Sequence, residues 1–294
     1  MRTSILAVAA LGASATLAGQ GRPDFEFRRE LAPGKRLVVQ NIIGNVQVTG
    51  GSGRIVEVTA VKKAGRHGEL EDVTVETIEL ENGVALCARY PGQGSRRGQG
   101  SSGERGSGKG ERNPCSWTSW NGSHERNDTE LIFTIRVPAG LTLRIGTVSG
   151  DLAASNLDGE LELGSVSGDV RLDGGRGQRI ELETVSGDVD LLDVRARDVA
   201  GNTVSGEVTF RGPILDGGTY EFTTTSGDIS LGLPDRPNAT LSAATFSGRF
   251  SSDLETTQQS GRHRRRHSAT WGSGSAKLDV ESLSGDIRIT TSPR

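Results

Sequence analysis

Rings and sulfur are scarce in this chain. Twelve of its residues are aromatic, four are histidine, two are cysteine and one is methionine. Polysaccharide lyases and hydrolases built on β-helices use paired carboxylates, or carboxylates with Arg and Lys, in grooves usually lined by sugar-stacking rings. The shortage of rings argues against that class. The histidines His67, His124, His263 and His267 stand outside the regular repeats and offer no Ser-His-Asp constellation there. No catalytic, cofactor-binding or metal-ligating residue is assigned, and the chain is read as a non-enzyme.

Long apolar runs are also missing beyond the N-terminus, where nothing approaches the ~20 residues that a membrane helix needs. The one such run, Ile5 to Leu17, follows Met1 and Arg2 and has small residues at Ala15, Ala18 and Gly19. It reads as a secretory signal peptide over residues 1–18, so export to the periplasm, cell surface or medium is expected. Helix signals are weak throughout.

What is present is a repeat. From Thr147 to Ile287 one phrase recurs seven times: Thr or Ser, a mostly apolar residue, Ser-Gly, usually Asp or Glu, then an apolar residue. The copies centre on Gly150, Gly168, Gly187, Gly206, Gly227, Gly248 and Gly285, at steps of 18, 19, 19, 21, 21 and 37 residues. A period near 20 marks rungs that bury an apolar face only by stacking on one another. An all-β, single-stranded β-solenoid over residues 19–294 follows.

Apolar residues stand seven before the glycine (Leu143, Leu161, Ile180, Val199, Tyr220, Leu241, Leu278). They also stand two after it (Leu152, Val170, Val189, Val208, Ile229, Phe250, Ile287). Counting by twos from the first set reaches Thr147, Ser165, Thr184, Thr203, Thr224, Thr245 and Ser282, one residue out of step with the second. The chain must therefore turn a corner or bulge at Ser-Gly. Glycine accepts such a corner and the adjacent Ser and Asp can bond local backbone, so Ser-Gly-Asp reads as a structural turn rather than a ligand site. Asp151, Asp169, Asp188, Glu207, Asp228 and Asp286 would then stack into an acidic column, interrupted by Arg249. Carboxylates so close repel unless turn amides, neighbouring Arg or a cation compensate; backbone amides are the preferred reading over a calcium ladder.

From Phe25 to Tyr90 the pattern is worn but still β-like, and Asn41 to Val48 resembles a degraded copy of the phrase. This part reads as early rungs or a capping sheet. With the N-terminal signal, the segment Ile135 to Leu143 (Ile-Arg-Val-Pro-Ala-Gly-Leu-Thr-Leu) and the Ser-Gly-Asp rungs, the chain resembles the bacterial putative-adhesin family, a family of unknown function. The resemblance implies an exported β-solenoid and assigns no catalytic residue.

Two insertions depart from a plain repeat. In the first, residues 92–113, glycine supplies eight of 22 positions, which implies a flexible loop. Cys87 and Cys115 bracket it without Cys-X-X-Cys spacing, as expected of a disulfide in an exported chain, the alternative being two separate thiols. Gly103 to Lys109 fits Gly-x-x-x-x-Gly-Lys, but Gly110 replaces the Ser or Thr that would hold magnesium, so no nucleotide is expected. The second insertion, about 255–275, is also expected to be flexible and carries Arg262, Arg264, Arg265 and Arg266 around His263 and His267. Those arginines would repel a metal and could meet an anionic polymer.

Tyr90, Trp117 and Trp120 gather several of the few rings beside the first basic loop. With the four arginines they form the expected contact surface, the alternative being that the tryptophans cover an apolar flank. The functional expectation is a structural, adhesion or interaction role at the cell envelope, with an envelope protein or polysaccharide as partner. A polysaccharide-active β-helix, or a sensor of anionic polymers, is the alternative.

Overall fold

The computed structural model describes residues 22–91, 114–115, 127–260 and 265–291. The expected signal peptide, the Gly-rich segment 92–113, Trp117, Trp120, Arg262 and Arg264 lie outside the described residues. Strands dominate and no α-helix occurs among the described residues.

The N-terminal strands are β1 (Phe25–Glu30), β2 (Arg36–Gln40), β3 (Val46–Gly50), β4 (Ile55–Lys63), β5 (Thr74–Leu80), β6 (Gly83–Arg89) and β7 (Glu130–Val137). The regular layers follow as β8 (Leu141–Ser149), β9 (Leu152–Ser167), β10 (Val170–Glu183), β11 (Val189–Ser205), β12 (Val208–Arg211), β13 (Thr219–Ser226) and β14 (Ile229–Leu233). The C-terminal strands are β15 (Ala239–Thr245), β16 (Phe250–Ser252), β17 (Thr257–Ser260), β18 (Arg265–Thr270), β19 (Ala276–Ser284) and β20 (Ile287–Thr291).

Each layer contributes one stretch before the Ser-Gly corner and one after it, and the two stretches stack into separate parallel ladders. The first ladder runs β6, β2, β8, then the later halves of β9, β10 and β11, then β13, β19 and β15. The second runs β7, β3, the earlier halves of β9, β10 and β11, then β12, β14, β20 and β16. Inward residues of both, among them Ile180, Val189 and Leu191, are fully buried and join one hydrophobic cluster from Leu31 to Ile289. The expected alternation and the solenoid fold are both realised.

The corner explains why the phrase contains glycine. At Gly150, Gly168, Gly187, Gly206 and Gly227 φ lies between 149° and 156°. A Cβ at any of them would overlap the carbonyl oxygen of the glycine one layer before. Only glycine permits both the dihedral and this backbone-on-backbone approach. A second corner follows six residues later, where Asn156, Gly174 and Asp193 adopt φ of 53°, 77° and 49° in successive layers; all three are residue types that tolerate the left-handed region.

The order of layers differs from the order of the sequence at both ends. β19 pairs with β13 on one side and β15 on the other, so the Gly285 layer sits between those of Gly227 and Gly248. That placement accounts for the 37-residue step: the chain leaves a gap and its last layer fills it. Likewise β2 and β3, which stand on either side of the worn corner at Gly44, lie between β6–β7 and the Gly150 layer.

The outer layers are then covered by antiparallel strands, β5 on β6 and β4 with β1 on β7 at one end, and β18 with β17 on β15 at the other. The second insertion therefore departs from expectation, because residues 257–270 include a hairpin in register with β15, with Ala243 opposite His267. An edge strand left open would invite pairing with another chain, and the hairpin closes it. The disulfide between Cys87 and Cys115 spans 5.6 Å between Cα atoms, and both residues pack with Val38 and Ala85, half-buried Ile78 and Leu80 adjoining. It ties the chain beyond the first insertion to β6.

Candidate functional site

The recurring phrase places four kinds of side chain at one edge of the solenoid, and three polar kinds could in principle bind a ligand. The buried hydroxyls do not. Ser165, Thr184 and Thr203 each donate to the glycine carbonyl of the preceding layer at 3.0 Å, and Thr147, Thr224, Thr245 and Ser282 repeat the contact at 3.1–3.3 Å. A buried hydroxyl must find such a partner, which is why the phrase opens with Thr or Ser on the inward side.

The acidic column is engaged as well. The backbone N–H groups of Asp169, Asp188 and Glu207 donate to Asp151, Asp169 and Asp188 at 3.1, 2.8 and 2.7 Å. Asp286 N–H donates to Asp228 at 2.8 Å, and Asn45 stands in for the acid at the worn copy, accepting from Asp151 at 2.9 Å. Arg249, the one basic residue in the column, donates its N–H to Asp286 at 2.8 Å and its guanidinium at 2.9 and 3.1 Å. These hydrogen bonds, from the backbone of Arg249 first and its side chain next, hold the Asp286 carboxyl below the usual range. Turn amides thus supply compensation at Asp151, Asp169, Asp188, Asp228 and Asp286. No group of three or more His, Cys, Asp or Glu able to hold a metal ion occurs among the described residues.

The serine before each glycine, from Ser149 to Ser284, is exposed, and so is the apolar residue that precedes it. Val148, Val166, Val185, Val204, Leu283 and Phe246, the apolar residues two before each glycine, are exposed by 39–59%. Ladder register aligns them in neighbouring layers, with half-buried Ile42 at one end and Thr225 as the single polar member between Val204 and Leu283. At ~4.8 Å per layer the column extends roughly 30 Å. Its exposed apolar area is on the order of 500 Å², within the range of patches that mark interaction sites. On the far side of the corner runs the acidic column, so the edge offers an apolar ridge bordered by carboxylates.

Of the expected contact residues, Tyr90, Arg265 and Arg266 fall within the described residues. Tyr90 requires correction, because it is buried, its hydroxyl donating to the Thr129 carbonyl at 2.8 Å with the Ile43 carbonyl 3.1 Å away. Burial pushes that phenol up to about 12. It ties the turn before β3 to the residue before β7. Arg265 and Arg266 lie on β18, Arg266 exposed, and the neighbouring His267 ring stacks on Phe250 at 4.0 Å. Sequence reasoning passed over the apolar column, although a signal existed: if Thr147 or Thr184 points inward, the next residue must point out.

A family model, Toastrack DUF4097, matches residues 139–290, just over half of the chain. The chain belongs to this family. The match begins just before β8 and ends in β20, so the Toastrack region takes in the complete apolar column apart from Ile42. No curated protein matches. Among solved structures, a putative cell adhesion protein from Clostridium sporogenes is 13% identical, with 92% of this chain and 100% of that one covered and a TM-score of 0.35. A putative adhesin from Bacteroides fragilis is 12% identical, with 90% and 96% covered and a TM-score of 0.39.

Proposed function

We propose that this chain is exported and acts as a non-catalytic adhesion or interaction module at the cell envelope, and that it meets its partner through the apolar column from Val148 to Phe246. One observation carries the reading: an apolar side chain stands exposed at the same outward position in six layers, while the inward hydroxyls and most of the turn carboxylates beside it are engaged by the fold. Stability does not call for it, since an outward valine stabilises little. The signal-like segment Met1 to Ala18 supports export. The engagement of the turn carboxylates by backbone amides weighs against their use in catalysis. The bordering acids favour a partner surface that sets basic residues beside an apolar strip.

The test uses protein lacking residues 1–18, wild type and a variant carrying Val166→Ser, Val185→Ser and Val204→Ser, titrated onto envelope fragments of the source cell. Binding by the wild type and its loss in the variant, with the melting temperature kept, is expected. Equal binding by both proteins would remove the column as the contact surface. Recovery of the native protein in the cytosolic fraction would remove the envelope.

A further inference from the structure

The opposite edge of the solenoid holds a second feature, unrelated to the apolar column. Where the Gly206 and Gly227 layers turn their second corner, the single left-handed residue used by earlier layers is replaced by longer segments, 212–218 after β12 and 234–238 after β14. The second of these must also carry the chain past the layer that β19 and β20 fill. The two segments spread apart and leave an open cleft of about 860 Å³.

The walls of the cleft are fixed. Tyr220, buried, accepts from the Leu215 N–H at 2.8 Å and donates to the Ala196 carbonyl at 3.0 Å, pinning the first segment to the layer below. Asp216 accepts from Asn238 Nδ2 at 2.6 Å and Ser275 Oγ at 2.7 Å, tying the first segment to the second. These bonds, the serine hydroxyl first, hold the Asp216 carboxyl below its usual range. The charge of Asp216 is thereby committed to the scaffold.

The arginines of the cleft are not committed in that way. Arg195 meets Asp193 at 3.7 Å, both well exposed, and such a pair is worth little. Arg211 and Arg236 line the cleft, are exposed, and have no side-chain ion-pair or hydrogen-bond partner among the described residues. Ile214, Leu215 and Pro234, each half-buried and apolar, line the same cleft. Arginine forks match carboxylates bidentately, and an aliphatic floor suits an aliphatic side chain. Among the described residues no aromatic ring lines the cleft to stack on a sugar face. A cleft of this size accommodates a few residues of peptide.

We propose that this cleft binds an acidic peptide segment, an aliphatic side chain resting on Ile214 and Leu215 and flanking carboxylates meeting Arg211 and Arg236. Recognition of acidic motifs by clustered arginines is an established binding mode in unrelated folds.

The probe is a fluorescein-labelled peptide of alternating Glu and Leu, followed by anisotropy in low salt against protein lacking residues 1–18. Saturable binding is expected, weakened at least about tenfold by Arg211→Gln or Arg236→Gln, as loss of one charge-assisted contact implies. Arg66→Gln, at the other end of the molecule, should bind as wild type. Thermal melts keep the result interpretable, because all three arginines are exposed and none should alter folding. A peptide with Gln in place of Glu should not bind, and oligogalacturonate should not compete. Unchanged affinity in both cleft variants, equal binding of the Gln peptide, or competition by oligogalacturonate would each overturn the proposal, the last in favour of an acidic saccharide. The outcome is separable from that for the apolar column, since the column variant should bind this peptide normally.

Discussion

The layer at Gly187 lies between those at Gly168 and Gly206, its neighbours in sequence, whereas the layer at Gly285 lies between those at Gly227 and Gly248. At the other end the Gly44 layer lies between β6–β7 and the Gly150 layer. Interior and end layers use the same phrase, but toward each end one layer is paired on both sides out of its order in the sequence, while β1 stays outermost on β4. A terminal strand at an open edge is tied on one side only and frays; one paired on both sides does not. The outermost parallel strands β6, β7 and β15 carry antiparallel strands, whereas β16 pairs with β20 alone, and a disulfide stands at the N-terminal end only. Parallel stacking extends the body, and antiparallel pairing stops it.

The largest expected effect tests inside against outside within one interior layer. Val189 is fully buried and Val185, four residues earlier, is 47% exposed. Val189→Asp should cost several kcal/mol by chemical denaturation, because an unpaired carboxylate enters the core, while Val185→Asp should stay within about 0.5 kcal/mol. Similar losses for the two would break the register.

Removal of the disulfide separates the ends. Cys87→Ser with Cys115→Ser should cost roughly 3 to 4 kcal/mol for a ring of this length. Native-state hydrogen exchange should accelerate in β5 and β6, with β15 to β18 unchanged. Acceleration spread evenly along the solenoid would mean that the ends do not open separately.

Interior stacking depends on close backbone approach at the corner. Gly187→Ala should cost about 2 kcal/mol, since it meets both a positive φ and the Gly168 carbonyl. Gly164→Ala, in a strand with its nearest neighbour at 3.4 Å, should change stability by less than about 1 kcal/mol. Equal costs would mean that the corner glycines are not required by stacking.

The smallest effect concerns pH at the C-terminal end. The Asp286 carboxyl is depressed in the fold, so its contribution is present above the unfolded value and is lost as pH falls through the folded one. Melting temperature should therefore decline more gently toward low pH in Asp286→Asn than in wild type. Parallel acid limbs would deny the carboxylate any role in holding Arg249.

The inward residues were legible in the sequence because alternation on each side of the glycine has a period of two and the burial of Ile180, Val189 and Leu191 follows from it. The worn copy at Asn41 to Val48 and the Cys87–Cys115 bridge were legible for similar reasons of pattern and compartment. The exchanged order at the C-terminal end was not. Thr245-Phe-Ser-Gly and Ser282-Leu-Ser-Gly offer the same ladder contacts to the Gly227 layer, so local pattern cannot choose between them. The hairpin at 257–270 escaped because its outer strand is polar and its inner one rich in arginine, without an apolar alternation to reveal it. Tyr90 was placed by its neighbours in sequence, whereas its burial depends on Ile43 and Thr129, which are distant along the chain.

The central claim is that one phrase builds the body with its inward half and makes contact with its outward apolar residue. Hydroxyl-radical footprinting with and without envelope fragments tests this most directly. Val166, Val185, Val204, Leu283 and Phe246 should lose reactivity together when the fragments are bound. Protection confined to Trp117, Trp120 and Arg262 to Arg266, with the apolar column still reactive, would contradict the claim.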